Sequence, residues 1–378
     1  MAASSASAAP SPLLARAGAV PAAGPDAGVA AHYGDPLREQ RELVAGRAAA
    51  ELGLATLSVG GPDRLSWLNS LTTQLLLGLH AGDSRETLIL DPHGRVEHAA
   101  AVLDDGERTW LVTEAANAAA LAAFLDSMRF MLRVDVRLDA DLVVLGTTTA
   151  GLEELRSAAP RAPVWEDPWP TTGPDGARYG PPDESHPGAE VRFAQVLVPR
   201  DELVAVLDRF AGHGGGLAGT AAWEALRVAA CRPRLGREVD DRSIPHELDW
   251  LRTAVHLRKG CYRGQETVAR VVNLGRPPRR LVLLHLDGSE HVLPDAGAEL
   301  LAGERTVGRI TSAALHHEAG PLALAVVRRT LPLDAPLTVD GIAASQVEVV
   351  AAEGASTARP PERTDAPDIS SLRRRPGG

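Results

Sequence analysis

The residues best placed to do chemistry lie together in Lys259-Gly260-Cys261-Tyr262-Arg263-Gly264-Gln265-Glu266. A thiol reacts as its thiolate, and nearby cations favour that form. Lys259 and Arg263 each stand two residues from Cys261, and residues two apart share a face of an extended segment. This spacing predicts a sulfur flanked by two positive charges. Gly260 and Gly264 leave the backbone open to a close ligand. Tyr262 offers a flat face and a hydroxyl, while Gln265 and Glu266 add hydrogen-bonding capacity. The bland alternative is a buried cysteine in a turn, because free Cys is among the most buried residue types. Cys231, beside Ala229 and Ala230 at the end of an expected helix, reads as a packing residue.

Other patterns point to less. Gly214-Gly215-Gly216-Leu217-Ala218-Gly219 fits G-x-G-x-x-G, but it follows a helical stretch where a dinucleotide fingerprint needs a strand. It reads as a flexible loop. His246-Glu247 begins like H-E-x-x-H, yet the fifth position is Trp250. His316, His317 and Glu318 are adjacent, so on a strand they point to opposite faces. No metal site is expected.

The elements that position the octapeptide can be read along 378 residues, more than one core usually fills. The fold class expected is α+β, with a second, all-β part at the C-terminal end. Helical composition covers Pro36 to Ala50, then Leu54, Leu57 and Val59 alternate as a strand. Asp63 is placed to cap a helix carrying Leu65, Trp67 and Leu68. Strands at 87–90 and 96–103 flank the turn Asp91-Pro92-His93-Gly94, and another strand precedes a helix over 115–128. Residues 160–188, rich in Pro and Gly, read as a long surface loop. A strand over 191–198 and helices over 201–210 and 221–230 follow. Beyond Arg276-Pro277-Pro278, short strands joined by Gly and Pro turns suggest a small β-barrel over 277–352. Residues 31–276 form the body, with 1–30 and 353–378 as disordered tails, the latter ending in Arg373-Arg374-Arg375.

A net charge of -10 disfavours broad nucleic-acid binding. Two cysteines make no disulfide framework and cannot supply the four thiolates that usually hold an iron–sulfur cluster. The amino-terminal stretch lacks a basic start and an apolar run, so neither a secretory leader nor a membrane span is expected, and a reducing cytoplasm fits.

The octapeptide resembles the signature of YgfZ-type folate-binding proteins, relatives of the glycine-cleavage T-protein. Asp63-Arg64-Leu65-Ser66-Trp67-Leu68, Asp91-Pro92-His93-Gly94-Arg95-Val96-Glu97-His98, Glu114-Ala115-Ala116-Asn117 and Ile244-Pro245-His246-Glu247 are similar to its other stretches. The resemblance spans about residues 30–352. It implies a T-protein-like folate-binding body of mixed antiparallel sheets and helices, with a hole in its middle, then a C-terminal β-barrel. It also implies tetrahydrofolate or a one-carbon derivative as cofactor, and a role in assembling or repairing iron–sulfur proteins, including clients that modify tRNA. On that resemblance Cys261, Lys259 and Arg263 are the reactive set. Tyr262, Gln265, Glu266, His98, Glu114, Asn117 and Arg227 become candidates for holding the cofactor.

The sequence departs from the T-protein where that enzyme uses charge. His98 and Ala99 stand at its paired-aspartate position, Ala229 replaces a second folate carboxylate, and Gln265 replaces an arginine. These losses argue against aminomethyl transfer. The readings carried forward are a folate-binding assembly factor, with a folate-dependent one-carbon transferase as the alternative and a silent folate sensor as a third.

Overall fold

A computed structural model describes residues 10–289 and 291–361. Two five-stranded sheets face each other to build the body. The first runs Val164–Glu166, Phe193–Pro199, Leu142–Thr148, Ala48–Leu52, Gly216–Ala218 in spatial order. The second runs Ser84–Leu90, Val96–Asp104, Arg108–Glu114, Leu54–Gly60, Asp135–Leu138. Six further strands between Arg279 and Glu348 close into a barrel. The α+β body and C-terminal barrel expected from the sequence are both present.

Strand alternation explains the packing. Leu57 and Val59 face one way and pack with Trp67, Leu68, Leu121 and Leu125 under the helices Arg64–Leu71 and Ala115–Ser127. In the barrel, Val282, Leu284 and Leu286 fill the interior, while Leu281 and Leu283 pack against the body. Burying a side chain of this size stabilises by roughly 1.5–3 kcal/mol. One set of polar contacts fastens barrel to body: Arg279 pairs with Asp240 at 2.6 Å and Glu247 at 2.8 Å. Glu238 accepts from Thr311 and Ser312.

Several expectations are corrected. The helix from Pro36 stops at Val44, and Ala48–Leu52 is a central strand paired with Leu142–Thr148. The segment with the G-x-G-x-x-G pattern is no flexible loop: Gly216–Ala218 pairs parallel with Ala48, Ala49 and Ala50. Asp63 does not cap its helix, because its carboxylate binds the Arg133 guanidinium instead.

Residues 160–188 are not a surface loop. Trp165, Trp169 and Tyr179 are buried there, and the stretch wraps the buried guanidinium of Arg252, which reaches Asp183, Pro170 O and Pro181 O. Of the first thirty residues, 10–30 pack on the body, and the part of the disordered-tail expectation that falls on 1–9 lies outside the described residues. Leu13 is buried, Ser11 bonds Glu51, and Val20–Pro21 pairs with Ala30–His32. Enough apolar surface and ion pairing is gained there to hold the segment. Residues 353–361 likewise run along the body, where Thr357 and Arg178 exchange hydrogen bonds. The Arg373-Arg374-Arg375 expectation lies outside the described residues.

Candidate functional site

The space between the two sheets is a cleft of about 750 Å³ including its mouth. Leu52, Phe193 and Gln195 line it from the first sheet, and Leu54, Glu86, Ala99, Val112 and Glu114 from the second. Trp165, Trp223 and Trp250 supply broad flat walls. The Phe193 and Trp223 rings lie 4.7 Å apart and stiffen one side. Asp26, from the amino-terminal segment, completes the rim.

Three arginines organise the cleft. Arg227 holds Glu224 and Glu238, at 2.9 and 3.0 Å. Arg232 holds Glu86 at 2.6 Å and Asp167 at 2.9 Å. Arg234 holds Asp26, Glu114 and Glu224, at 2.8, 2.7 and 3.0 Å. Burial alone would keep these carboxyls neutral. Burial raises the Glu224 carboxyl, but Arg227 and Arg234 more than reverse it and hold it at about 2. Burial wins at Asp167, which stays raised despite Arg232.

Two polar atoms of the cleft's lining residues have no hydrogen-bond partner among the described residues: Arg232 Nη1 and Gln195 Oε1. Their residues are 8% and 9% exposed, so neither has bulk water to replace the missing bond. An unsatisfied buried group costs about 1–3 kcal/mol, which a ligand offering a complementary edge would recover. Both residues line the cleft beside its flat apolar faces.

The octapeptide lies elsewhere. Cys261 is exposed and does not line the cleft. Lys259 turns inward: its Nζ donates to Asn69 O, Thr72 O and Gln74 O at 2.5, 2.5 and 2.8 Å. Burial pushes this amine down to about 7, yet three carbonyl acceptors call for the three protons of the ammonium. Arg263 reaches out to Glu97 at 2.9 Å. The expectation that both cations flank the sulfur is therefore corrected, since each is drawn to another partner. Lys259 anchors the loop and Arg263 ties it to the neighbouring hairpin.

Gly264 serves a contact rather than a ligand. Its φ is +81°, and a Cβ there would stand 2.6 Å from Asp91 O and 3.0 Å from Gly94 Cα. The residue seats the loop on the tip of the Asp91–Gly94 turn. Tyr262 is buried, with its ring 5.6 Å from Lys259 Nζ, and it lines a shallow groove with Gln265 and Glu266.

The remaining candidates separate. Glu114 and Arg227 line the cleft. His98 points to the opposite face of its strand, against Phe124, with Nδ1 3.0 Å from Asn117 Oδ1. Burial lowers its pKa, and the Asn117 contact only partly opposes that. Asn117 lines an outer groove that shares Glu114 and Leu235 with the cleft. Reading the sequence missed Gln195, Arg232, Arg234, Glu86 and Asp167. The signal available was the charge density of Arg232-Pro233-Arg234 directly after an apolar helix. Cys231 is buried with its thiol pushed up to about 12 by burial. Among the described residues, no three His, Cys, Asp or Glu side chains gather to hold a metal ion. No helix among them is long and apolar enough to cross a membrane.

Residues 279–353 match the C-terminal beta-barrel domain of CAF17. The chain is 26% identical to the tRNA-modifying protein YgfZ of Edwardsiella ictaluri over 77% of its length and 87% of that protein. It is also 26% identical to the YgfZ of Pectobacterium carotovorum, over 83% of this chain and 94% of that one. A 94-residue stretch is 34% identical to an Arabidopsis thaliana protein named as a chloroplastic transferase, spanning only 21% of that protein. The glycine cleavage aminomethyltransferase T of Bartonella henselae superposes with a TM-score of 0.70 at 20% identity, covering 91% of this chain and 97% of that one.

Proposed function

We propose that this chain, similar to YgfZ in sequence and carrying a CAF17-type barrel on a T-protein-like fold, is a folate-binding accessory protein for iron–sulfur cluster assembly or repair. The observation that carries the folate half is the cleft wall. A pterin is flat, and its ring edge carries both hydrogen-bond donors and acceptors. The three tryptophans offer it stacking faces. Gln195 Oε1 accepts from a ring N–H, and Arg232 Nη1 donates to a ring acceptor. Bound tetrahydrofolate would supply a carrier for one-carbon groups, and these residues would orient it.

The state of the cleft's charges favours binding over transfer. Asp26 and Glu114 are held by Arg234, and Glu86 and Asp167 by Arg232. A general acid or base must reach the reacting atom with a free side chain, and each of these four carboxylates already turns its oxygens to a guanidinium. Ala229 and Ala99 stand at the positions where the resemblance places folate-binding carboxylates.

The second half rests on Cys261. Its thiol is exposed on a loop that Lys259 anchors and Gly264 seats, so it is presented to a partner rather than to the cleft. The clients proposed are iron–sulfur proteins, tRNA-modifying enzymes among them, and the setting is the cytoplasm.

Titration with tetrahydrofolate, followed by tryptophan fluorescence, tests the first half. Saturable quenching is expected, and Gln195→Leu should weaken it about tenfold, near 1.4 kcal/mol. No saturable signal, or an unchanged affinity in the variant, overturns the reading of the cleft. Cys261→Ser tests the second half through recovery of client cluster after oxidative damage. Full recovery with the serine variant refutes a role for the sulfur.

A further inference from the structure

We propose that the carboxy-terminal end of the helix Gln265–Asn273, with the strap that follows the barrel, is a docking surface for an acidic, partly apolar protein face. The inference does not depend on folate.

The chain carries net charge -10, yet the exposed charged residues of 258–276 are four Arg against one Glu. Four arginines from distant parts of the sequence meet there. A Cβ on Gly354 would stand 2.8 Å from Arg329 Cδ and 3.3 Å from Arg276 Cβ. Arg359 Nη1 donates to Gly275 O at 3.2 Å. One turn back, Arg270 O accepts from Leu274 N and Gly275 N.

Arg270 and Arg276 are exposed. Arg329 and Arg359 bond only carbonyl oxygens, of Ala352 and Gly275. Among the described residues, no carboxylate forms an ion pair with any of the four. Glu348 is turned to Ala352 N, and Glu353 is exposed beside the strap. Arg234 and Arg279, by contrast, are each paired with carboxylates. Leaving four cations together unpaired concentrates positive potential in one place on a negative molecule.

Leu274, at the helix end among them, is 79% exposed. Arginine around an apolar centre is the anatomy of a protein interface. Phosphate backbones instead engage long basic tracks of some 6–10 contacts. A protein face offers separate carboxylates for the arginines and a hollow for the leucine.

Position adds a consequence. The helix has nine residues, about 13 Å at 1.5 Å each, and its other end begins beside the exposed Cys261. A partner held at Leu274 therefore sits within reach of the sulfur.

The test uses the full chain and fluorescence anisotropy of two probes: a labelled 16-residue peptide of Glu, Asp and Leu, and an oligouridine of equal charge. The peptide should bind in a salt-sensitive manner and more tightly than the RNA. Arg270→Glu with Arg276→Glu should weaken it about tenfold or more, and Leu274→Ser should weaken it measurably. Melting temperature and iodoacetamide labelling of Cys261 should stay unchanged, which separates lost docking from lost folding. Three results overturn the proposal: no peptide binding by the wild type, binding indifferent to the arginine reversals, or tighter RNA binding with Leu274→Ser silent. The last would assign the surface to nucleic acid.

Discussion

Arg234 gives the sharpest stability test. Its guanidinium serves three carboxylates: Asp26 at 2.8 and 3.0 Å, Glu114 at 2.7 and 2.9 Å, and Glu224 at 3.0 Å. Asp26→Ala removes one of the three. Arg234 keeps two partners, so no charge is stranded, and the loss should be that of its charged hydrogen bonds, about 1.5–3 kcal/mol. Arg234→Met is different. Glu114 then has no cation, while Asp26 and Glu224 fall back on Arg237 at 3.4 and 3.6 Å, with Glu224 also keeping Arg227. A buried carboxylate left alone costs about 3–5 kcal/mol. The double variant should cost less than the sum, because both changes act on one contact. Urea unfolding at neutral pH reads all three. Equal costs for the two single variants, or strictly additive costs in the double, would show that the three-way clamp is not what holds this region.

Acid should weaken the fold through two buried imidazoles. Burial lowers His246 to about 4 and His186 to about 3, against 6.5 for an ordinary histidine. Below pH 6.5 the unfolded chain takes up protons that the folded chain refuses, so stability falls as pH drops toward 4. His246→Gln should flatten that slope in urea midpoints, and an unchanged slope argues against the assignment. Native protein should take up iodoacetamide at Cys261 alone and at both thiols after unfolding, as counted by mass spectrometry; labelling of Cys231 in the native state contradicts its burial. Lys259→Met should cost on the order of 3 kcal/mol by stripping donors from three carbonyls, and a loss under about 1 kcal/mol would make the anchor ornamental. Deleting residues 1–30 should lower the melting temperature clearly, since Leu13 and Asp26 go with them; no change would mean the segment only rests on the body.

What the sequence revealed and what it hid follow from the range of the interactions. Strands with local alternation, such as Leu54–Gly60, and those joined by a tight turn, such as Ser84–Leu90 and Val96–Asp104, were readable because their patterns are written within a few residues. The barrel was readable for the same reason. The cleft was not. Its wall joins Gln195, Arg232, Glu86 and Asp167 across long sequence distances, and no local pattern announces an ion pair between residues 86 and 232. The Pro- and Gly-rich stretch 160–188 misled because turn chemistry reports backbone shape and says nothing of burial. The large rings of Trp165, Trp169 and Tyr179, in a chain only 3% aromatic, were the better guide. Lys259 misled in another way: two-residue spacing puts side chains on one face only if the backbone stays extended, and here a long flexible stem found carbonyls instead.

The rim residue Asp26 meets Arg234 across 208 positions of chain. A ribosome adds more than two hundred amino acids after making that aspartate before its counter-ion exists. The cleft is thus among the later features to mature, and a product halted before residue 234 never completes its wall. Affinity for whatever fills the chamber would then double as a certificate that synthesis ran far enough and that both ends of this span found each other.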